Sequence, residues 1–180
     1  NYINASPNYI NDYKNYRSSM AGGSYQPVVV DVTELYDQFA YGYEYHPSSI
    51  RNFVAYANAT WTVKPSFMFI IGKGINYTGY TAYLNNAASY TYYPIPTWGN
   101  PGADNLLSSL DNDQKPCLAT GRLSAWNNQE IGNYLEKVKA YELAIKPLPV
   151  PTVEHEFWKK RALHIVGSSD LALQNILLSS

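Results

Sequence analysis

Two kinds of apolar spacing alternate along this chain. Gln26 to Val32 reads Gln-Pro-Val-Val-Val-Asp-Val, and Phe67 to Gly72 reads Phe-Met-Phe-Ile-Ile-Gly. Such runs, rich in β-branched or aromatic residues and without polar alternation, suit strands buried on both faces of a parallel sheet. Between them, after His46-Pro47-Ser48-Ser49, the apolar residues Ile50, Phe53, Val54, Ala57 and Trp61 fall at i, i+3, i+4, i+7 and i+11. That spacing lines one face of a helix, so strand, helix and strand form a βαβ unit with an expected right-handed crossover.

The remaining segments extend the alternation. Tyr2 to Ala5 reads as a short strand, and Ser6-Pro7 opens a helix through Tyr13, Tyr16 and Arg17 towards Gly22-Gly23. Cys117 to Thr120 is a further short strand leading into Gly121-Arg122-Leu123. Asn127 or Asn128 can cap the next helix, with Glu130 near its positive end and Ile131, Leu135, Val138 and Ile145 along one side. The proline-punctuated stretch from Lys146 to Pro151 ends it. Ala162 to Gly167 is the last strand, and Ser168-Ser169-Asp170 caps a helix from Leu171 to Leu178. The expected fold is a single α/β domain over residues 1–180, an open parallel sheet of about five strands flanked by helices, flavodoxin-like in half-domain form.

Charge and composition narrow the function classes. With 13 Lys and Arg against 14 Asp and Glu, the formal net charge is −1. Neither sign dominates, so nucleic acid and anionic membrane surfaces are not expected partners. No apolar run approaches the roughly 20 residues that a membrane-spanning helix needs. Asn1-Tyr2-Ile3-Asn4 has neither the charged nor the apolar region of a signal peptide. A single cysteine, Cys117, excludes an internal disulfide and multi-cysteine metal sites. The unusual number is 18 tyrosines against 5 phenylalanines, several of them in the irregular stretch from Lys73 to Pro116. Long loops of this kind tend to be functional, and amphipathic rings suit exposed binding loops.

Three stretches, in order, resemble the gingipain-like cysteine peptidases. The first is Val28-Val29-Val30-Asp31-Val32-Thr33-Glu34-Leu35-Tyr36-Asp37-Gln38-Phe39-Ala40-Tyr41-Gly42, continuing into Ser49-Ile50-Arg51-Asn52-Phe53-Val54-Ala55-Tyr56. The second is Pro65 to Gly74, similar to the family's strand and Gly-Asp-Gly turn. The third is Ala119-Thr120-Gly121-Arg122-Leu123 with the helix ending Lys137-Val138-Lys139-Ala140-Tyr141-Glu142. The resemblance spans almost the whole chain. It implies a caspase-like fold of two related halves and a secreted or cell-surface bacterial protein that acts on protein or peptide substrates, as a protease or as a sortase of type IX secretion. It also implies that the catalytic histidine and cysteine follow the strand Leu163 to Gly167, in a C-terminal catalytic subdomain. On this reading the chain holds no catalytic residue and scaffolds the catalytic half. Lys73 departs from the family by standing where relatives carry aspartate.

Each chemically interesting residue has a functional and a structural reading. Cys117 lies where the family does not place its nucleophile, and a structural, partly buried thiol is expected. His46, at the front of a helix, can reach a cleft at the carboxyl ends of strands; alternatively it is an exposed turn residue before Pro47. His164 reads as a core histidine and His155, between Glu154 and Glu156, as a solvated one. Asp104, Asp111 and Asp113 offer oxygen ligands for calcium, against the reading of a solvated acidic loop, and Arg122 can pair with one of them through its planar fork. No other cofactor is implied: Gly72-Lys73-Gly74 lacks the third glycine and helix of a dinucleotide fingerprint. Trp98, in the aromatic loop, is a substrate-binding candidate together with His46. It is also the centre of the alternative function, a non-catalytic surface module that recognises glycan or peptide.

Overall fold

Two parallel strands form the centre of the fold. The computed structural model describes residues 3–76, 78–79, 94–110, 115–146 and 152–161. Strand β1 (Phe67–Ile71) pairs with β2 (Ala119–Leu123) in parallel, with Phe67 opposite Ala119 and Ile71 opposite Leu123. Four helices accompany them among the described residues: α1 (Tyr9–Ser18), α2 (Val32–Phe39), α3 (Ser48–Thr60) and α4 (Asn128–Ala144). None is long and apolar enough to cross a membrane. The chain divides into the units Asn1–Lys139 and Ala140–Ser180.

The pleat of the sheet separates two cores. Because successive side chains in a strand point to opposite faces, neighbours in β1 serve different layers. Ile70 packs with Leu35 of α2, Ile50 and Val54 of α3, and with Leu107 and Leu118, while Val30, Phe39, Phe53 and Met68 pack around them. Ile71 and Leu123 instead border Ile10 of α1, Ala125 and Ile131 of α4. Each fully buried aliphatic side chain contributes about 1.5–3 kcal/mol, so both layers are substantial. On the second face Phe69 stacks on Tyr13 at 5.2 Å and on Tyr134 at 5.6 Å, and the two tyrosine rings also meet at 6.1 Å. Tyr9 lies so close to Gly132 that a Cβ there would sit 2.9 Å from the ring.

The helix ends follow from their caps. The Asn8 side chain accepts from the Asn11 N–H at 2.9 Å and donates to the Ile3 carbonyl at 2.6 Å. The second bond ties residues 3–8 into a turn, so Ile3 to Ala5 do not extend as the short strand expected at Tyr2 to Ala5, of which Tyr2 lies outside the described residues. At α4 the choice between Asn127 and Asn128 falls to Asn127, whose Oδ1 accepts from the Glu130 N–H at 3.0 Å. Glu130 reciprocates by accepting from the Trp126 N–H at 2.8 Å, in the manner of a capping box.

Two expected strands change. The run Gln26 to Val32 makes no ladder among the described residues, and Val28 is 64% exposed. Asp31 interrupts it: its Oδ1 accepts from both the Thr33 N–H and the Thr33 hydroxyl at 3.0 Å, which caps α2 and draws Val32 into the helix. The strand expected at Cys117 to Thr120 is displaced towards the C-terminus. Its pairing begins where the Ala119 N–H donates to the Ser66 carbonyl at 3.0 Å, and Gly121-Arg122-Leu123 belong to the strand. The expected strand Ala162 to Gly167 and the helix Leu171 to Leu178 lie outside the described residues, so the sheet described has two strands.

In the second unit, a helical turn at Val153–Glu156 runs into a 3-10 turn at Phe157–Lys160. Lys159 pairs with Glu156, and Tyr141 meets Trp158 edge-on at 6.2 Å.

Candidate functional site

Open parallel sheets bind ligands in the crevice outside the carboxyl ends of their strands. Here that edge is formed by Gly72-Lys73-Gly74 after β1 and by the segment after Leu123 in β2. The glycines permit the turn. Gly72 has φ +139°, in the region that disfavours side chains, and a Cβ on Gly74 would lie 2.2 Å from the Ile95 carbonyl oxygen. The Gly72 N–H donates to the Leu123 carbonyl at 2.9 Å, and the Lys73 carbonyl accepts from the Ile95 N–H at 3.2 Å.

Arg122 holds the turn from beneath. Its Nε donates to Asp104 Oδ2 and its Nη2 to Asp104 Oδ1, both at 2.7 Å. Nη1 donates to the Gly72 carbonyl at 2.8 Å and the Ile95 carbonyl at 3.1 Å, and Nη2 also reaches the Pro96 carbonyl at 3.1 Å. All five guanidinium N–H groups therefore have acceptors. The pair is largely covered, Arg122 being 10% and Asp104 25% exposed, so its geometry rather than solvent screening sets its strength. Burial pushes the Asp104 carboxyl up, but the hydrogen bonds and charge of Arg122 outweigh it and hold the carboxyl below its ordinary range. The Thr97 hydroxyl beside the carboxylate adds a smaller contribution in the lowering direction.

Above the turn, the Lys73 ammonium sits 3.6 Å from the centroid of the Trp126 ring. Trp126 is the third residue beyond β2 and is 49% exposed. A cation over an indole face is held by about 0.5–2 kcal/mol. The pair therefore joins the ends of the two strands on the solvent side. A sequence reading notices Lys73 only as a departure from the family and overlooks Trp126. Their shared position after adjacent parallel strands is the signal that links them, and it requires the register.

The sequence candidates distribute unevenly around this edge. His46 is half-buried just before α3, its Nδ1 accepting from the Ser48 N–H at 3.2 Å. The Trp98 ring packs against the first core and lies beneath the Arg51 guanidinium at 4.8 Å, so much of its surface is already occupied. The Tyr36 hydroxyl donates to the Pro94 carbonyl at 3.0 Å, anchoring the start of the same loop. Asp104 has both oxygens on Arg122, the pairing the sequence suggested, while Asp111 and Asp113 lie outside the described residues. Among the described residues no three His, Cys, Asp or Glu side chains gather as a metal site. His164 and the side chain of His155 also lie outside the described residues.

Cys117 is exposed rather than partly buried. It precedes the first paired residue of β2, and its N–H donates to the Ser108 carbonyl at 2.9 Å, while the next residue, Leu118, takes the inward position. That places the thiol at the amino end of β2, the opposite end of the strand from Lys73 and Trp126.

Residues 5–177 match the family described as Peptidase family C25. No curated protein and no solved structure matches the chain.

Proposed function

Because the chain belongs to peptidase family C25, the gingipain family, we propose that it is the non-catalytic part of a gingipain-like peptidase domain whose nucleophile lies in another segment of the protein. The observation that carries this reading is the position of Cys117. A thiolate nucleophile needs an imidazole within hydrogen-bond reach and a place in the substrate cleft. The one cysteine of this chain stands at the amino end of β2, whereas clefts in open parallel sheets form at the carboxyl end. The role left to these residues is to support a catalytic subdomain and to present loops at the carboxyl edge to a protein substrate. The resemblance of the three sequence stretches supports a secreted or surface protein, acting as a protease or as a sortase of type IX secretion.

A mechanism-based thiol probe applied to the natural active protein tests the assignment. The labelled cysteine, mapped by mass spectrometry, is expected outside residues 1–180, with activity retained in Cys117→Ala. Labelling at Cys117 with loss of peptide cleavage in that variant would overturn it.

A further inference from the structure

We infer that Lys73, fixed over Trp126 at the carboxyl edge of the sheet, is a substrate-binding cation that receives a carboxylate of the peptide. The inference rests on the peptidase reading and adds to it a class of substrate group.

The first support is rigidity. The backbone of the Gly72-Lys73-Gly74 turn is held on one side by Arg122 and Leu123 and on the other by Ile95. Neither glycine accepts a side chain without displacing its neighbours, Ile95 and Pro94 for Gly72 and Ile95 and Arg122 for Gly74. A recognition group on such a turn loses little conformational freedom when a ligand arrives. The second support is the state of the ammonium. Lys73 is half-buried, and the indole covers one side of its cation at 3.6 Å. The N–H donors that do not face the ring are left for other acceptors.

The third support is charge. Among the described residues the ion pairs are Arg122 with Asp104, Lys139 with Glu136 and Lys159 with Glu156, and Lys73 enters none of them. The acidic groups described on this edge are already engaged. Asp104 has both oxygens on Arg122, and Glu130 accepts from the Trp126 N–H and from Asn127 Nδ2. A fixed cation that pairs with no carboxylate among the described residues, at the edge where ligands bind, matches an anion carried by the substrate. In a peptide that anion is an Asp or Glu side chain or the terminal carboxylate. A lysine, being a compact point charge, suits a single carboxylate oxygen without demanding a fork geometry.

Binding is measured on the protein by following the Trp126 indole N–H resonance during titration with three peptides. These are acetyl-Ser-Glu-Glu-Ser-amide, the same peptide with Gln for Glu, and acetyl-Ser-Gln-Gln-Ser with a free terminal carboxyl. One charge-assisted contact corresponds to about a tenfold preference for an acidic peptide over the neutral one. Side-chain recognition favours the Glu peptide, and terminal recognition favours the free-acid peptide. The preference should vanish in Lys73→Gln, persist in Lys73→Arg and be unchanged in Lys64→Gln, an exposed lysine elsewhere. Equal binding of the three peptides, or a preference that survives in Lys73→Gln, overturns the inference. Because the readout is binding, absence of hydrolysis bears on the peptidase reading alone, and hydrolysis without acid preference bears on this inference alone.

Discussion

Arg122 and Asp104, 18 residues apart in sequence, meet through two parallel hydrogen bonds of 2.7 Å, and the same guanidinium also grips the carbonyls of Gly72, Ile95 and Pro96. One side chain on β2 thus organises the turn after β1 and the loop across from it. Replacing Asp104 by Asn leaves a largely buried guanidinium without its counter-charge. Breaking one partner of such a pair costs about 3 kcal/mol. Urea unfolding of Asp104→Asn should show a loss of that order with an unchanged slope; a loss below about 0.5 kcal/mol would show that the pair is not structural.

The same carboxylate makes the fold acid-sensitive in a defined direction. Its folded pKa lies below the ordinary value of 3.8, so the unfolded chain binds the proton more readily. The stabilisation is present in full above the ordinary value and is lost as pH falls through the folded one. Unfolding free energies measured from neutral pH down to the acid range should therefore decline more in the wild type than in Asp104→Asn. Parallel curves for the two proteins would contradict the assignment.

Asp31 and Val28 give opposite expectations for a helix cap and a buried strand. Asp31→Ala removes the acceptor for the Thr33 N–H and should lower stability by about 1 kcal/mol. Val28→Thr, at a side chain that is mostly exposed, should change it by less than about 0.5 kcal/mol. Thermal or urea unfolding distinguishes the cases: a cost at Val28 of several times that value would mean that its side chain is covered by a strand layer after all.

Cys117 offers a chemical check on placement. An exposed thiol should be titrated in full by an aromatic disulfide reagent without denaturant, while circular dichroism stays unchanged. Reaction that occurs only after unfolding would return the residue to the interior.

The parts legible in the sequence are those governed by short-range periodicity. The apolar face from Ile50 through Ala57 gives α3, and the run at Phe67 to Ile71 gives β1, because each signal lies within one element. Helix α2 was equally legible in its spacing, with Val32, Leu35, Tyr36 and Phe39 at i, i+3, i+4 and i+7. The adjoining valines masked it, and Asp31 in their midst acts as a cap rather than as a strand residue. Arg122 pairing with one of three aspartates could be foreseen from guanidinium chemistry. Which aspartate, and the three further bonds to the turn and loop, depend on the parallel register. Lys73 and Trp126 meet for the same reason, and no local pattern announces a contact made between the ends of two strands. Cys117 was misplaced because a shift of two residues in the start of β2 takes the thiol out of the sheet.

The ring cluster of Tyr13, Phe69 and Tyr134, in which each ring meets the other two, joins the first helix and β1 to the last long helix of this unit. During synthesis, the segment bearing Tyr13 emerges well before the one bearing Tyr134. This side of the sheet can close only after most of the polypeptide has left the ribosome. Until then Phe69, partly exposed even in the finished fold, lacks one of its two ring contacts, and the nascent protein presents more apolar surface there.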